Sequence, residues 1–247
     1  MILLVNDDGI ASPGLRALYH ALRAATRQSV LAVAPASERS GMSHAITIDR
    51  GLSVAPRHEP GFFGFAVDGT PADCTKLALD RICGESPRLV VSGINDGPNA
   101  GRSIFYSGTL GAALEAAVEG RAAFAVSRER GWTNQDDAAE FAARWAARLL
   151  HAPGLAGSVV NLNLPASPAR AWRAPRLSHH GLAGFRERYR PQREGGRTTW
   201  RLAGTWEAGA SDDDVSALSA GHPVFTLLRP DLNAPEPAIL RRLVEGA

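Results

Sequence analysis

Short, predominantly apolar runs punctuate the chain, and each ends in polar or glycine-rich sequence. Residues 2–5, 30–34, 89–92, 123–127 and 159–162 have this form, which suits strands buried on both faces of a parallel sheet. Between them the period changes. Leu15, Leu18 and Leu22 recur at helical spacing within 13–25, and Leu110, Ala113, Leu114 and Ala117 do so within 109–119. Residues 136–150 predict another helix. Thr70-Pro71-Ala72-Asp73 is a helix start: threonine caps, proline fits the first position and aspartate favours the positive end of the dipole. That helix is expected to reach about Ile82. Residues 45–48, 52–54 and 62–67 predict short strands in a hairpin-like excursion, and 93–108 a loop rich in glycine and asparagine. Strands alternating with helices predict an α/β fold with a mostly parallel sheet flanked by helices. After Pro165 the pattern weakens. Arginine and glycine dominate 170–201, where extended hairpins or an arm are expected, and 238–245 predicts a terminal helix. The expected organisation is a catalytic core over 1–165 and an arm and oligomerisation region over 166–247, within one domain.

Composition narrows the function classes. The chain has 247 residues, 45% of them hydrophobic, with a net charge of +2. That balance gives no ground for a stable nucleic-acid partner. The two cysteines, Cys74 and Cys83, form no C-x-x-C pattern and suit a reduced cytosolic pair. No apolar run approaches the roughly 20 residues of a membrane span. The first apolar run is too short for a signal-peptide core and no basic residue precedes it, so a cytoplasmic protein with no membrane partner is expected.

Ligands of open α/β sheets bind beyond the carboxyl ends of the strands. There the sequence offers Asn6-Asp7-Asp8-Gly9, then Glu38-Arg39-Ser40-Gly41, then Asn95-Asp96-Gly97-Pro98-Asn99. Carboxylates, a hydroxyl and carboxamides are hard oxygen donors, suited to Mg²⁺ or Mn²⁺ rather than zinc. Adjacent carboxylates are costly unless a cation holds them together; taken alone, Asp7-Asp8 also fits a turn with an N-cap. Ser107-Gly108-Thr109 precedes a helix, where free N–H groups and two hydroxyls favour an anion; simple N-capping is the alternative. Glycines at 93, 97 and 101 do not make G-x-G-x-x-G, so a dinucleotide site lacks its motif.

These blocks together resemble the SurE family. The resemblance is carried by Asn6-Asp7-Asp8-Gly9-Ile10, Ala34-Pro35 with Glu38-Arg39-Ser40-Gly41, Gly69-Thr70-Pro71-Ala72-Asp73-Cys74, Ser92-Gly93-Ile94-Asn95 with Gly97, Asn99 and Gly101, and Tyr106-Ser107-Gly108-Thr109. Asp214, Ala217, Gly221 and Thr226 fit the family's late block, although 221–227 lacks its Ser-x-Thr-Pro pattern. The resemblance implies a Rossmann-like phosphatase acting on nucleoside 5′- and 3′-monophosphates, with short polyphosphate a further substrate of some members. It implies one divalent cation per subunit, Mg²⁺ or Mn²⁺, held by Asp7, Asp8, Ser40 and Asn95. Asn99, Ser107, Gly108 and Thr109 would surround the phosphate, and a homodimer or homotetramer would exchange C-terminal arms.

The expected catalytic set is Asp8, Asn99, Ser107 and Thr109. Asp8 is the choice for general base, with activation of water by the cation as the alternative. Asn99, Ser107 and Thr109 would donate to the non-bridging oxygens. His44 is read as loop structure in preference to a leaving-group acid, and His179-His180 as surface or interface residues. Two other functions compete. A haloacid-dehalogenase-type phosphatase would use an aspartyl phosphate, but its Asp-x-Asp-Gly-Thr pattern is missing here. A non-catalytic nucleotide-binding module would not need the paired carboxylates.

Overall fold

The structure is a computed structural model that describes residues 1–131, 135–207 and 212–233; the helix expected at 238–245 lies outside them. Its strands are β1 (Ile2–Val5), β2 (Val30–Pro35), β3 (Val54–Glu59), β4 (Phe62–Val67), β5 (Leu89–Asp96), β6 (Ala122–Arg128), β7 (Ser158–Leu164), β8 (Arg176–Leu177), β9 (Gly184–Glu194), β10 (Arg197–Glu207) and β11 (Val224–Leu228). The helices are α1 (Pro13–Thr26), α2 (Pro71–Leu77), α3 (Gly108–Val118), α4 (Gln135–Leu149) and α5 (Asp214–Ser219). One sheet runs β3–β4–β2–β1–β5–β6–β7–β11–β8, and β9 and β10 form a separate antiparallel hairpin. Strands β4, β2, β1, β5, β6 and β7 are parallel. Antiparallel strands, β3 on β4 and β11 on β7, sit towards the edges. The fold is the expected α/β sheet flanked by helices, with an extended hairpin.

Alternation along β1 shows why the run is apolar throughout. Ile2 and Leu4 enter the core shared with α1 and α4, while Leu3 and Val5 enter the core that packs α3. All four are fully buried, each contributing about 1.5–3 kcal/mol of transfer free energy. The capping box of α2 is present in both directions between Thr70 and Asp73, with Pro71 at the helix start. A wider π-type turn over Ala78–Ile82 carries that helix to its expected end.

The chain steps outward from β1 through β2 to β4, then returns to β5 on the other side of β1. This reversal makes the gap between the carboxyl ends of β1 and β5 the crevice of the sheet. Residues 6–8 and 95–99 both start there.

Three expectations need correction. Residues 45–53 form no strand. Side chains take the bonds a partner strand would have made: Thr70 Oγ1 donates to the Ala45 carbonyl, and Asp73 accepts from both the N–H and hydroxyl of Thr47. Residues 93–108 are not one loop, because β5 continues to Asp96 and Gly101–Tyr106 is a 3₁₀ segment. Strand β11, unanticipated from the sequence, pairs with β7 and extends the sheet. No helix among the described residues is long and apolar enough to cross a membrane.

Candidate active site

A cleft of about 490 Å³ opens at the crevice, lined in part by Asp7, Ser40, Asn95, Asn99 and Ser107. The structure thus brings together residues from four separate stretches of sequence. Gly108 and Thr109 follow Ser107 directly. Asp8 stands beside the cleft, half-buried.

Asp7 is buried at the end of β1. Burial dominates and raises its pKa, against the lowering effect of bonds from Thr109. The Thr109 hydroxyl donates to Asp7 Oδ1 at 2.6 Å, and the Thr109 N–H also donates to the carboxylate. Gly108 allows this approach: a Cβ there would stand 2.9 Å from Asp7 Cβ and 3.0 Å from Pro71 Cγ. The N-terminus of α3 therefore holds a carboxylate of its own chain, a favourable partner for that end of the dipole.

Several groups of the anion cradle expected at α3 have partners within the chain. Thr109 is fully buried and committed to Asp7. The Leu110 N–H is bonded to Ser107 Oγ. What remains for a ligand at this turn is the Gly108 N–H and the hydroxyl proton of Ser107. In this structure the Thr109 hydroxyl is directed at Asp7.

Asp8 has a pKa raised to about 6, first by burial and then by the charges of Asp7, Glu38 and Asp96. The Asp96 N–H donates to it and partly offsets the rise. Asp96 itself pairs with the buried Arg128 at 3.1 Å. The cleft thus concentrates negative charge.

Asn95 Nδ2 donates to the Gly97 carbonyl at 2.7 Å, which leaves its side-chain oxygen available. Ser40 is exposed, and its hydroxyl donates to Glu38 at 2.7 Å. Its loop is held by side chains further along. Ser43 bonds to the carbonyls of Phe105 and Tyr106. His44 Nε2 lies 2.7 Å from the buried Glu115, which also binds Lys76 at 2.7 Å. His44 therefore fastens the loop to α3.

Asn99 is held by residues the sequence pattern did not single out. Its N–H donates to Asn163 Oδ1 at 2.7 Å, and its carbonyl accepts from Asn161 and Asn163. Its Nδ2 donates to Ser127 Oγ at 2.8 Å, and Asn161 bonds on to Thr226. All of these groups are buried. A signal was present: Asn161 and Asn163 stand at alternate positions of a buried strand, where polar side chains are retained only with partners. His179 is exposed near Asp212, and His180 Nε2 donates to the Gly101 carbonyl; neither lines the cleft.

Oxygen donors converge here without a thiolate or imidazole, the set suited to Mg²⁺ or Mn²⁺. Among the described residues no group of three or more His, Cys, Asp and Glu side chains is arranged to hold a metal. The Asn95 carboxamide and the Ser40 hydroxyl line the same cleft as the Asp7 carboxylate. The residues present fit such an ion.

Comparison with known proteins follows the same line. The family model described as survival protein SurE matches residues 2–187. The chain is 42% identical to a 5′-nucleotidase SurE of Nitratidesulfovibrio vulgaris, covering 95% of each protein. It is 40% identical to a 5′-nucleotidase SurE of Symbiobacterium thermophilum, covering 94% of this chain and 93% of that one. The crystal structure of the SurE protein from Aquifex aeolicus superposes with a TM-score of 0.84 at 30% identity, over 99% of both chains.

Proposed function

This chain belongs to the SurE family, and from that premise we propose that it is a divalent-cation-dependent 5′-nucleotidase. It hydrolyses nucleoside 5′-monophosphates, and 3′-monophosphates with them, to nucleoside and phosphate. The observation that carries the proposal is the pair Asp7 and Asp8, set between the N-terminus of α3 and the end of β5 in a cleft of oxygen donors.

Asp7, Asp8, Asn95 and Ser40 are the residues to hold one Mg²⁺ or Mn²⁺ per subunit. When bound, the cation supplies positive charge that keeps both carboxylates ionised and draws electron density from the phosphoryl group. The chain's own groups do the rest. The Ser107 hydroxyl and the Gly108 N–H donate to non-bridging oxygens, and the second Nδ2 hydrogen of Asn99 is available beside them. Asn99 cannot swing away, because its backbone N–H, carbonyl and amide are all bonded. Thr109 keeps Asp7 in one orientation. Asp8, at the rim, is the group to accept the proton of the attacking water.

The exposed apolar residues of the hairpin, Tyr189, Trp200 and Leu202, support a homo-oligomer, dimer or tetramer, in which a neighbouring subunit covers them. Phosphate release from AMP tests the central proposal. EDTA should abolish it and Mn²⁺ or Mg²⁺ restore it; full turnover in verified metal-free protein would refute it. A trapped phosphoenzyme would favour the aspartyl-phosphate route instead.

A further inference from the structure

The arm is a two-faced ribbon. Phe185, Glu187, Tyr189 and Pro191 alternate along β9 with Arg186, Arg188 and Arg190. Pairing with β10 places Leu202 opposite Tyr189 and Trp200 opposite Pro191 on the first face, and Arg201 opposite Arg190 on the second. The less cationic face begins inside the cleft, where Phe185 and Glu187 join Asp7, Tyr106 and Ser107.

The root of the arm is fixed to the segment that carries Ser107. The fully buried Asp214 accepts from the N–H groups of Gly101 and Gly181, both at 3.0 Å. Arg102 donates from its N–H to the Ala183 carbonyl at 3.0 Å and from Nε to the Leu182 carbonyl at 2.9 Å. Gly101–Tyr106 then leads directly into Ser107. Phe185 is two residues beyond the last of these anchors. Its ring lies against β10 at a glycine: a Cβ on Gly204 would stand 2.7 Å from Phe185 Cε1. Phe185 is 38% exposed, against 68% for Tyr189 further out on the same strand.

Resting on the nucleotidase reading, we infer that Phe185 forms the wall on which the nucleobase packs, so that the arm sets the preference for nucleotides over phosphomonoesters lacking a base. The cleft volume falls in the range of small-ligand sites, and an aromatic face stacks on any base. Glu187, an acceptor only when ionised, receives a ribose hydroxyl or an exocyclic amino group beside it. Phe185 is thus a specificity-determining residue, while the bond-breaking chemistry stays with the groups on the sheet.

The test compares AMP with ribose 5-phosphate, which keeps the sugar and the ester and lacks the base. Phe185→Ala should lower kcat/KM for AMP about 5- to 150-fold, mainly through KM, and leave ribose 5-phosphate within about twofold, as expected for loss of one base–aromatic stack. Inhibition by adenosine should weaken in parallel, and Phe185→Tyr should restore the preference. Equal losses on both substrates, or no loss on AMP, would overturn the inference. Failure of the parent reading looks different: wild-type protein with Mn²⁺ would hydrolyse neither substrate, and the wall would then have no nucleotide to serve.

Discussion

Asp7 and Asn99 are held from below, by a buried strand end and by side chains of neighbouring strands. Phe185 and Glu187 reach the same cleft from a hairpin whose outer residues face solvent on both sides. The floor shares its supports with the hydrophobic core, so disturbing it disturbs the packing of the sheet. The wall depends on a few bonds at its root, through Asp214, Arg102 and Ala183. On the proposed reading chemistry is tied to the fold, while recognition and assembly would lie on an element that can change without remaking the core.

The largest effects belong to the floor. Asp8→Asn should cost at least about two orders of magnitude in kcat, as for loss of a key electrostatic or acid–base group. Because Asp8 is burdened by burial and by like charges, the same variant should melt no lower than wild type when both are metal-free at pH 7. A lower melting temperature would show that the carboxylate supports the fold. Thr109→Val comes next. Loss of the bond to Asp7 should reduce kcat/KM about tenfold, the order of a hydrogen bond to a charged group. It should weaken Mn²⁺ binding and leave competitive inhibition by inorganic phosphate unchanged. Weaker phosphate inhibition with unchanged Mn²⁺ affinity would restore Thr109 to the phosphate.

The pH dependence sharpens the same side. Folding raises the Asp8 pKa from 3.8 to about 6, so folding favours the neutral form relative to the unfolded chain. Its stabilising contribution is complete below the unfolded pKa and is lost as pH rises through about 6. The melting temperature of metal-free wild type, measured relative to Asp8→Asn, should therefore fall between pH 4 and pH 7. Mn²⁺ affinity should change in the opposite sense, weakening by up to about tenfold per pH unit below 6 as protons compete for Asp8. A pH-independent affinity between 5 and 7 would remove Asp8 from the ligand set.

The smallest effect on the fold is expected at the arm's outer end. Trp200→Ser with Tyr189→Ser should shift the molecular mass by light scattering towards the monomer, while changing core stability by no more than about 0.5 kcal/mol per exposed site. An unchanged oligomer would move the subunit contacts elsewhere.

The same contrast explains what the sequence disclosed. Strand ends and helix starts are local: Asp7-Asp8 after an apolar run, or Thr70-Pro71 before a helix, announce themselves within a few residues. The bond from Thr109 to Asp7 joins residues 102 positions apart, and nothing local distinguishes a hydroxyl aimed at a ligand from one aimed at a carboxylate. The Asn161–Asn163–Asn99 contacts needed the sheet order. In the arm, the two-residue alternation of β9 was hidden because arginine fills one face and Glu187 interrupts the other. Residues 45–48 looked like a strand because short apolar runs do not reveal whether their backbone will find a sheet or a set of side chains.

Strand β7 ends at Leu164, and its neighbour β11 begins about sixty residues later at Val224. On the ribosome that interval takes on the order of seconds. Throughout it β7 has a free edge on the far side from β6, and Asn161 waits for Thr226. The contacts beneath Asn99 are completed only when nearly the whole chain has been made. The proposed cation ligands all lie before residue 96, whereas the support beneath Asn99 waits for Thr226, and a prematurely terminated chain would present an unpaired strand to other chains.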